Sequence, residues 1–198
     1  MAGGHGRQKL RVAHPRTLPN PKRKLNSNAE IRPVVLIFMG VSGCGKTTVA
    51  KLFARETRAT FVEGDDFHSP ENIAKMSRGI PLTDADRKNW LQILSRVVAG
   101  ALARNEFTAL TCSALKAKYR AELTAGDPRV KFVHLTGAKA VLEERVKNRP
   151  GHFMPPSLLA SQLADLEPPA DALVFNCDQS PQRIVTELIH WLGLPVEP

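Results

Sequence analysis

The residues of this 198-residue chain best placed to do chemistry are Gly40-Val41-Ser42-Gly43-Cys44-Gly45-Lys46-Thr47, which fit G-x-x-x-x-G-K-[ST] at every defined position. Glycines let successive N–H groups turn inward, forming an anion-binding concavity, and a helix opening at Lys46 adds its dipole field. Lys46 can then reach β- and γ-phosphate oxygens, Thr47 offers a hydroxyl to Mg²⁺, and Thr48 continues the first helical turn. Cys44 stands at a variable position. Such a loop implies binding of a nucleoside triphosphate, without saying where the phosphoryl group goes.

A second cluster, Glu63-Gly64-Asp65-Asp66-Phe67-His68, places acids directly after an apolar run, at what should be the carboxyl end of a strand, where ligands bind in open α/β sheets. One acid there can accept a proton from an attacking hydroxyl while another holds water on Mg²⁺. Asp65 is the stronger candidate for the first role; taken alone, any of these acids could equally be a turn or a helix cap. Arg145 and Arg149 lie four apart and can share a face toward phosphates. They could also be a solvated basic helix end that satisfies the dipole. Arg87 follows Asp84 by three residues and reads equally as a helix-start ion pair.

These groups need a scaffold, and the chain supplies one from Pro33 onward. Val34 to Met39 is a continuous apolar, largely β-branched run bounded by Pro33 and Gly40, as expected of a strand buried on both faces. Further strands are expected at 60–63, 107–112, 130–135 and 172–176. Helical patterns lie between and after them at 46–57, 84–104, 115–124, 138–147 and 182–192. This alternation predicts an α/β fold with a parallel sheet covered by helices on both faces.

The chain carries 28 Lys plus Arg against 19 Asp plus Glu, a net charge of +9. Residues 1–30 hold seven basic residues and the single acid Glu30, a net of +6, which leaves +3 for residues 31–198. The first thirty residues, with Lys22-Arg23-Lys24 and little apolar periodicity, read as a flexible basic tail, and 31–198 as one domain. The tail is compatible with a solvated extension, nonspecific contact with nucleic acid or an anionic membrane, or an organellar transit segment poor in Ser. Three scattered cysteines, Cys44, Cys112 and Cys177, and no Cys-x-x-Cys pair favour a reducing compartment, hence a cytoplasmic expectation. No guanine-reading Asn-Lys-x-Asp occurs, and the domain is short for switch regions, so a compact small-molecule kinase is the economical reading.

The run Ser69 to Trp90, with Cys112-Ser113-Ala114-Leu115-Lys116, Tyr119-Arg120, Arg149-Pro150-Gly151-His152-Phe153 and Ser161-Gln162-Leu163-Ala164-Asp165-Leu166-Glu167-Pro168, resembles the gluconokinase family, ATP-dependent D-gluconate 6-phosphotransferases. The resemblance spans residues 33–194 in order. Departures are small: Asn89 stands where Pro is common, Thr47 replaces Ser, and the basic tail is an addition.

What the resemblance implies is a P-loop fold of nucleoside-monophosphate-kinase type: a five-stranded parallel sheet, a substrate-binding helical segment after the second strand, and a lid at about 148–157. ATP and Mg²⁺ would be the cofactors, with residues 40–48 and Gln179, in the adenine loop Asp178-Gln179-Ser180-Pro181, on the nucleotide. Gly40, Val41, Ser42, Gly43, Cys44, Gly45, Lys46, Thr47 and Thr48 form the loop contacts. Asp65 would hydrogen-bond the gluconate hydroxyl and serve as the general base, Lys46, Arg145 and Arg149 would be the cations around the transferring group, and Glu63 would reach the metal through water beside Thr47. Arg87 and Arg120, then His68 and Lys75, would bind the sugar acid, since an Arg fork matches a carboxylate. A homodimer is the implied assembly. Kinases of shikimate or another aldonate, and a nucleotide-binding or RNA-associated protein, remain the alternatives.

Overall fold

The computed structural model describes residues 34–148 and 157–194. The basic segment 1–30, Arg149 and most of the expected lid lie outside the described residues. Strand β1 (Val35–Met39) is fully buried at every position, because its neighbours cover both edges and both faces. β3 (Thr108–Thr111) and β4 (Val130–Thr136) pair with it in parallel; β2 (Thr60–Glu63) and β5 (Leu173–Asn176) lie outside them, giving the order β2-β3-β1-β4-β5. The chain order reverses at β1, so the loop leaving its carboxyl end opens into the crevice beside the switch point.

Side chains alternate across the sheet. Leu36 and Phe38 face helices α1 (Lys46–Thr57) and α7 (Pro181–Trp191), meeting Val49, Phe53, Ile184 and Leu188. Val35, Ile37 and Met39 face α3 (Asp84–Arg104) and α4 (Ala117–Thr124), meeting Leu94, Val98 and Leu123. Each fully buried side chain of this size stabilises the fold by about 1.5–3 kcal/mol. α2 (Pro70–Ser77), α5 (Lys139–Lys147) and α6 (Ser157–Asp165) complete the helices described. Among the described residues no helix is long and apolar enough to cross a membrane.

The five expected strands and helices α1 and α3 agree with the structure to within a residue or two at each end. The helix expected from Leu115 begins at Ala117 instead. Ala114 has φ 45° and Lys116 is extended, because the Leu115 carbonyl is drawn outward to accept from the Glu167 N–H at 2.9 Å and from Arg120 at 3.0 Å. α2 falls in the segment for which the family resemblance implied helix, and its start carries a plain signal: Ser69 caps it, accepting from Asn72 N–H at 3.2 Å, with Pro70 in the first turn. α6 was not expected from periodicity, although Leu159, Leu163 and Leu166 recur at helical spacing.

α3 starts at a capping box in which Thr83 and Asp86 satisfy each other's backbone N–H groups. Its first turns carry Arg87 and Trp90 toward the crevice. The Trp90 indole donates to the Gly64 carbonyl at 2.7 Å, and the Gly64 N–H donates to the Thr111 hydroxyl at 3.0 Å. Gly64 is pressed so closely on β3 that a Cβ would fall inside contact distance of the Thr111 carbonyl. Gly64→Ala is therefore expected to cost about 3 kcal/mol, the upper end for overpacking, which for a domain of this size lowers Tm by roughly 6–12 °C. Thermal unfolding followed by circular dichroism checks it; an unchanged Tm would show that β2 and β3 can part without penalty.

Candidate active site

The carboxyl ends of the strands open on a cavity of about 410 Å³. One wall is the segment between β1 and α1. Gly43 and Gly45 take φ 83° and 90°, conformations that turn the loop back on itself and present its N–H groups to the cavity. Ser42 to Thr48 line this wall, with Gly45 as the N-cap of α1. Lys46 folds over the loop, its ammonium donating to the Val41 carbonyl at 3.1 Å. Gly40 and Val41 lead into the turn, and Val41 is buried beneath it.

Thr47 and Glu63 meet where the metal was expected. The Thr47 hydroxyl donates to Glu63 Oε2 at 2.8 Å, and the Thr111 hydroxyl donates to Glu63 Oε1. The ends of β2 and β3 and the first turn of α1 thus converge on one carboxylate. Hydroxyl and carboxylate oxygens at one point are the donor set a hard divalent cation takes, so these residues fit Mg²⁺.

The opposite wall carries Asp65, His68, Arg87 and Trp90. A 3-10 turn at Gly64–Phe67 swings Asp65 inward. His68 stacks on Trp90, with ring centroids 4.3 Å apart and planes inclined by 15°. Burial lowers the His68 pKa, outweighing the pull of Asp65, whose Oδ1 lies 4.0 Å from Nε2. The ring is neutral at pH 7, and its buried Nδ1 has no hydrogen-bond partner among the described residues. Arg87 reaches the cavity while donating to the Tyr119 hydroxyl at 3.3 Å and lying 3.8 Å from Asp165.

Arg145, from the last turn of α5, lines the cavity and donates to the Cys177 carbonyl at 3.0 Å. Gln179, after β5, lines it too, and its buried Oε1 has no hydrogen-bond partner among the described residues. Two expected sugar-acid ligands stand away from the lining. Lys75 pairs with Asp86 at 2.6 Å, fastening α2 to the start of α3. Arg120 donates to the Ala114 and Leu115 carbonyls, both at 3.0 Å, and shapes the loop before α4. Both support the wall from behind. Arg149 lies outside the described residues.

Sequence reasoning missed two contributors. Trp90 positions His68 and Gly64 together; an aromatic in the first turns of a helix carrying Arg87 was the available signal. Gln162 on α6 accepts from the Ser42 N–H at 2.7 Å and lines the cavity; it belonged to a quoted motif to which no role was attached.

A family model described as an AAA domain matches residues 35–169. The chain is 44% identical over 163 residues to a gluconokinase of Gluconobacter oxydans, covering 81% of this chain and 92% of that protein. It is 40% identical over 160 residues to the thermoresistant gluconokinase of Escherichia coli, covering 79% and 91%. A solved structure of a gluconokinase from Sinorhizobium meliloti superposes with a TM-score of 0.72 at 43% identity, covering 82% of this chain and 93% of that one.

Burial of two imidazoles makes stability depend on pH. His134, enclosed in β4, has its pKa pushed down to about 4, first by desolvation and then by Arg120; His68 shifts the same way. Below pH 6.5 the unfolded chain takes up protons that the folded chain refuses, so stability falls with pH until the folded pKa is reached. His134 alone should remove on the order of 2 kcal/mol by pH 5. Tm is expected to fall between pH 7 and 5, and His134→Gln to flatten the slope. An equal slope in that variant would assign the acid sensitivity elsewhere.

Proposed function

The chain belongs to the gluconokinase family, and we propose that it transfers the γ-phosphoryl group of ATP to the 6-hydroxyl of D-gluconate, giving 6-phosphogluconate and ADP. One observation carries this reading: a single cavity has a phosphate loop on one wall and an acid, a neutral imidazole and an arginine on the other. A triphosphate on the loop and a sugar acid on the opposite wall would meet with the γ-phosphate between them.

In this mechanism the loop amides and Lys46 hold the triphosphate, and Arg145 faces the phosphates from the far side. Gln179 and its neighbours flank the adenine. Arg87 pairs with the gluconate carboxylate, and His68 exchanges a hydrogen bond with a sugar hydroxyl. Asp65 accepts the proton of the 6-hydroxyl as the oxygen–phosphorus bond forms. The bond from Pγ to the bridging oxygen breaks, and its electron pair leaves on ADP. Thr47 would hold Mg²⁺ directly and Glu63 through water; when bound, the ion neutralises charge on the phosphates. Arg149 adds a second cation on the pattern of its spacing from Arg145. Lys75 and Arg120 act at one remove, through Asp86 and through the Ala114 and Leu115 carbonyls. The reading includes a cytoplasmic homodimer, which size-exclusion chromatography with light scattering tests, and no role for the 1–30 segment in turnover.

A coupled ADP-release assay over a panel of sugar acids tests the activity. Gluconate should be turned over; turnover of shikimate without gluconate would overturn the assignment. Asp65→Asn should lower kcat by about 10² with KM changed little, the scale of a lost general base, and Lys46→Ala should abolish transfer. Near-normal kcat in Asp65→Asn would remove Asp65 from proton transfer.

A further inference from the structure

Helix α6 lines the cavity through Gln162, and one turn on, Asp165 approaches a second lining residue, Arg87. Gln162 places its amide oxygen 2.7 Å from the Ser42 N–H of the phosphate loop. Asp165 places its carboxylate 3.8 Å from Arg87 and 3.5 Å from Lys116. Each contact puts an acceptor oxygen of the protein on a donor that, in the proposed reaction, serves an anionic substrate. A carbonyl oxygen occupies a loop amide suited to a phosphate oxygen. A carboxylate stands at ion-pair distance from the arginine suited to the carboxylate of the acid.

The helix itself is held by apolar contacts, not by these two alone. Leu158 packs with Met76 and Leu82, and Leu159 is buried in the main core. Beyond its end, Glu167 accepts from the Ala117 N–H at 2.6 Å and donates its own N–H to the Leu115 carbonyl. α6 is therefore anchored at both ends, while the contacts of Gln162 and Asp165 are polar, part-exposed and individually modest.

We propose that Gln162 and Asp165 are internal surrogates for the two substrates, positioning residues through which α6 couples nucleotide binding to acid binding. A phosphate that takes the Ser42 amide displaces Gln162 and shifts the turn it shares with Asp165, between the anchors at Leu158–Leu159 and Glu167. Asp165 on the same turn then yields Arg87 more readily to an incoming carboxylate, and the reverse holds by linkage. The identity of the second ligand rests on the activity proposed above; the displacement at Ser42 does not.

Equilibrium titrations of the full chain with a non-hydrolysable ATP analogue and Mg²⁺, with and without D-gluconate, test the proposal. In the wild type, saturating gluconate should tighten analogue binding by about fivefold or more, the lower range of ordinary coupling. Gln162→Leu, by removing the competing acceptor, should tighten analogue binding without gluconate by about threefold to tenfold, the range one neutral hydrogen bond supports. Asp165→Asn should tighten gluconate binding and reduce the coupling below twofold. A merely structural role predicts weaker binding of both ligands and a lower Tm in both variants. Weaker or unchanged analogue affinity in Gln162→Leu, or full coupling retained in Asp165→Asn, overturns the proposal. Failure of the wild type to turn over gluconate overturns the activity instead, because the Gln162→Leu titration needs no acid.

Discussion

The Glu63 carboxylate is the point on which the site's geometry depends. It accepts from Thr47 at the first turn of α1 and from Thr111 at the end of β3, while its own strand ends beside it. Phosphate loop, sheet and acceptor wall are thereby referred to a single group. Two hydroxyl donors satisfy a partly buried charge that would otherwise be costly to place there. The same two oxygens leave Thr47 and Glu63 adjacent, the arrangement that the proposed divalent cation requires.

From that point the acceptor wall follows by close packing. Gly64 lies against Thr111 with no room for a side chain, and its carbonyl takes the Trp90 indole. Trp90 in turn stacks on His68, whose burial favours the neutral ring. Asp65 is turned inward by the 3-10 turn between them. A displaced backbone at Gly64 would therefore move the Asp65 carboxylate, the imidazole and the indole together, since protein interiors transmit displacement rather than absorb it. Behind the wall, Asp84 accepts from Tyr119 and from Lys118 at 2.5 Å, and Lys116 joins it at 3.2 Å. This exposed network orients Tyr119 under Arg87, and its contribution is geometric more than energetic.

The nucleotide end was legible in the sequence because its chemistry is local. Eight consecutive residues after an apolar run determine a turn, a helix start and a set of inward N–H groups, and the neighbours needed to form them are adjacent in the chain. The parallel sheet was legible for a similar reason: Val35–Met39, buried on all sides, has no polar alternation that a one-sided strand would need. The acid end was harder. Arg87 and Arg120 are alike in type and both stand on helices of the same face, yet of the two only Arg87 reaches the cavity; Arg120 turns to the Ala114 and Leu115 carbonyls of the non-helical segment before α4. Lys75 is likewise claimed by Asp86, which no spacing rule across eleven residues would reveal.

The sequence by itself determined the strand–loop–helix that cradles phosphates, the sheet around it, and the membership of Asp65 and His68 in the crevice at the end of β2. Those features follow from backbone conformation and apolar periodicity, which are written in short windows of the chain. Only the tertiary structure decided which cations face the cavity, that Trp90 stacks on His68, and that Gln162 lies on the Ser42 amide across 120 positions of sequence. These depend on which of several possible partners arrives first at a donor or acceptor once the helices are packed, and competition between distant groups leaves no periodic trace in the residues themselves.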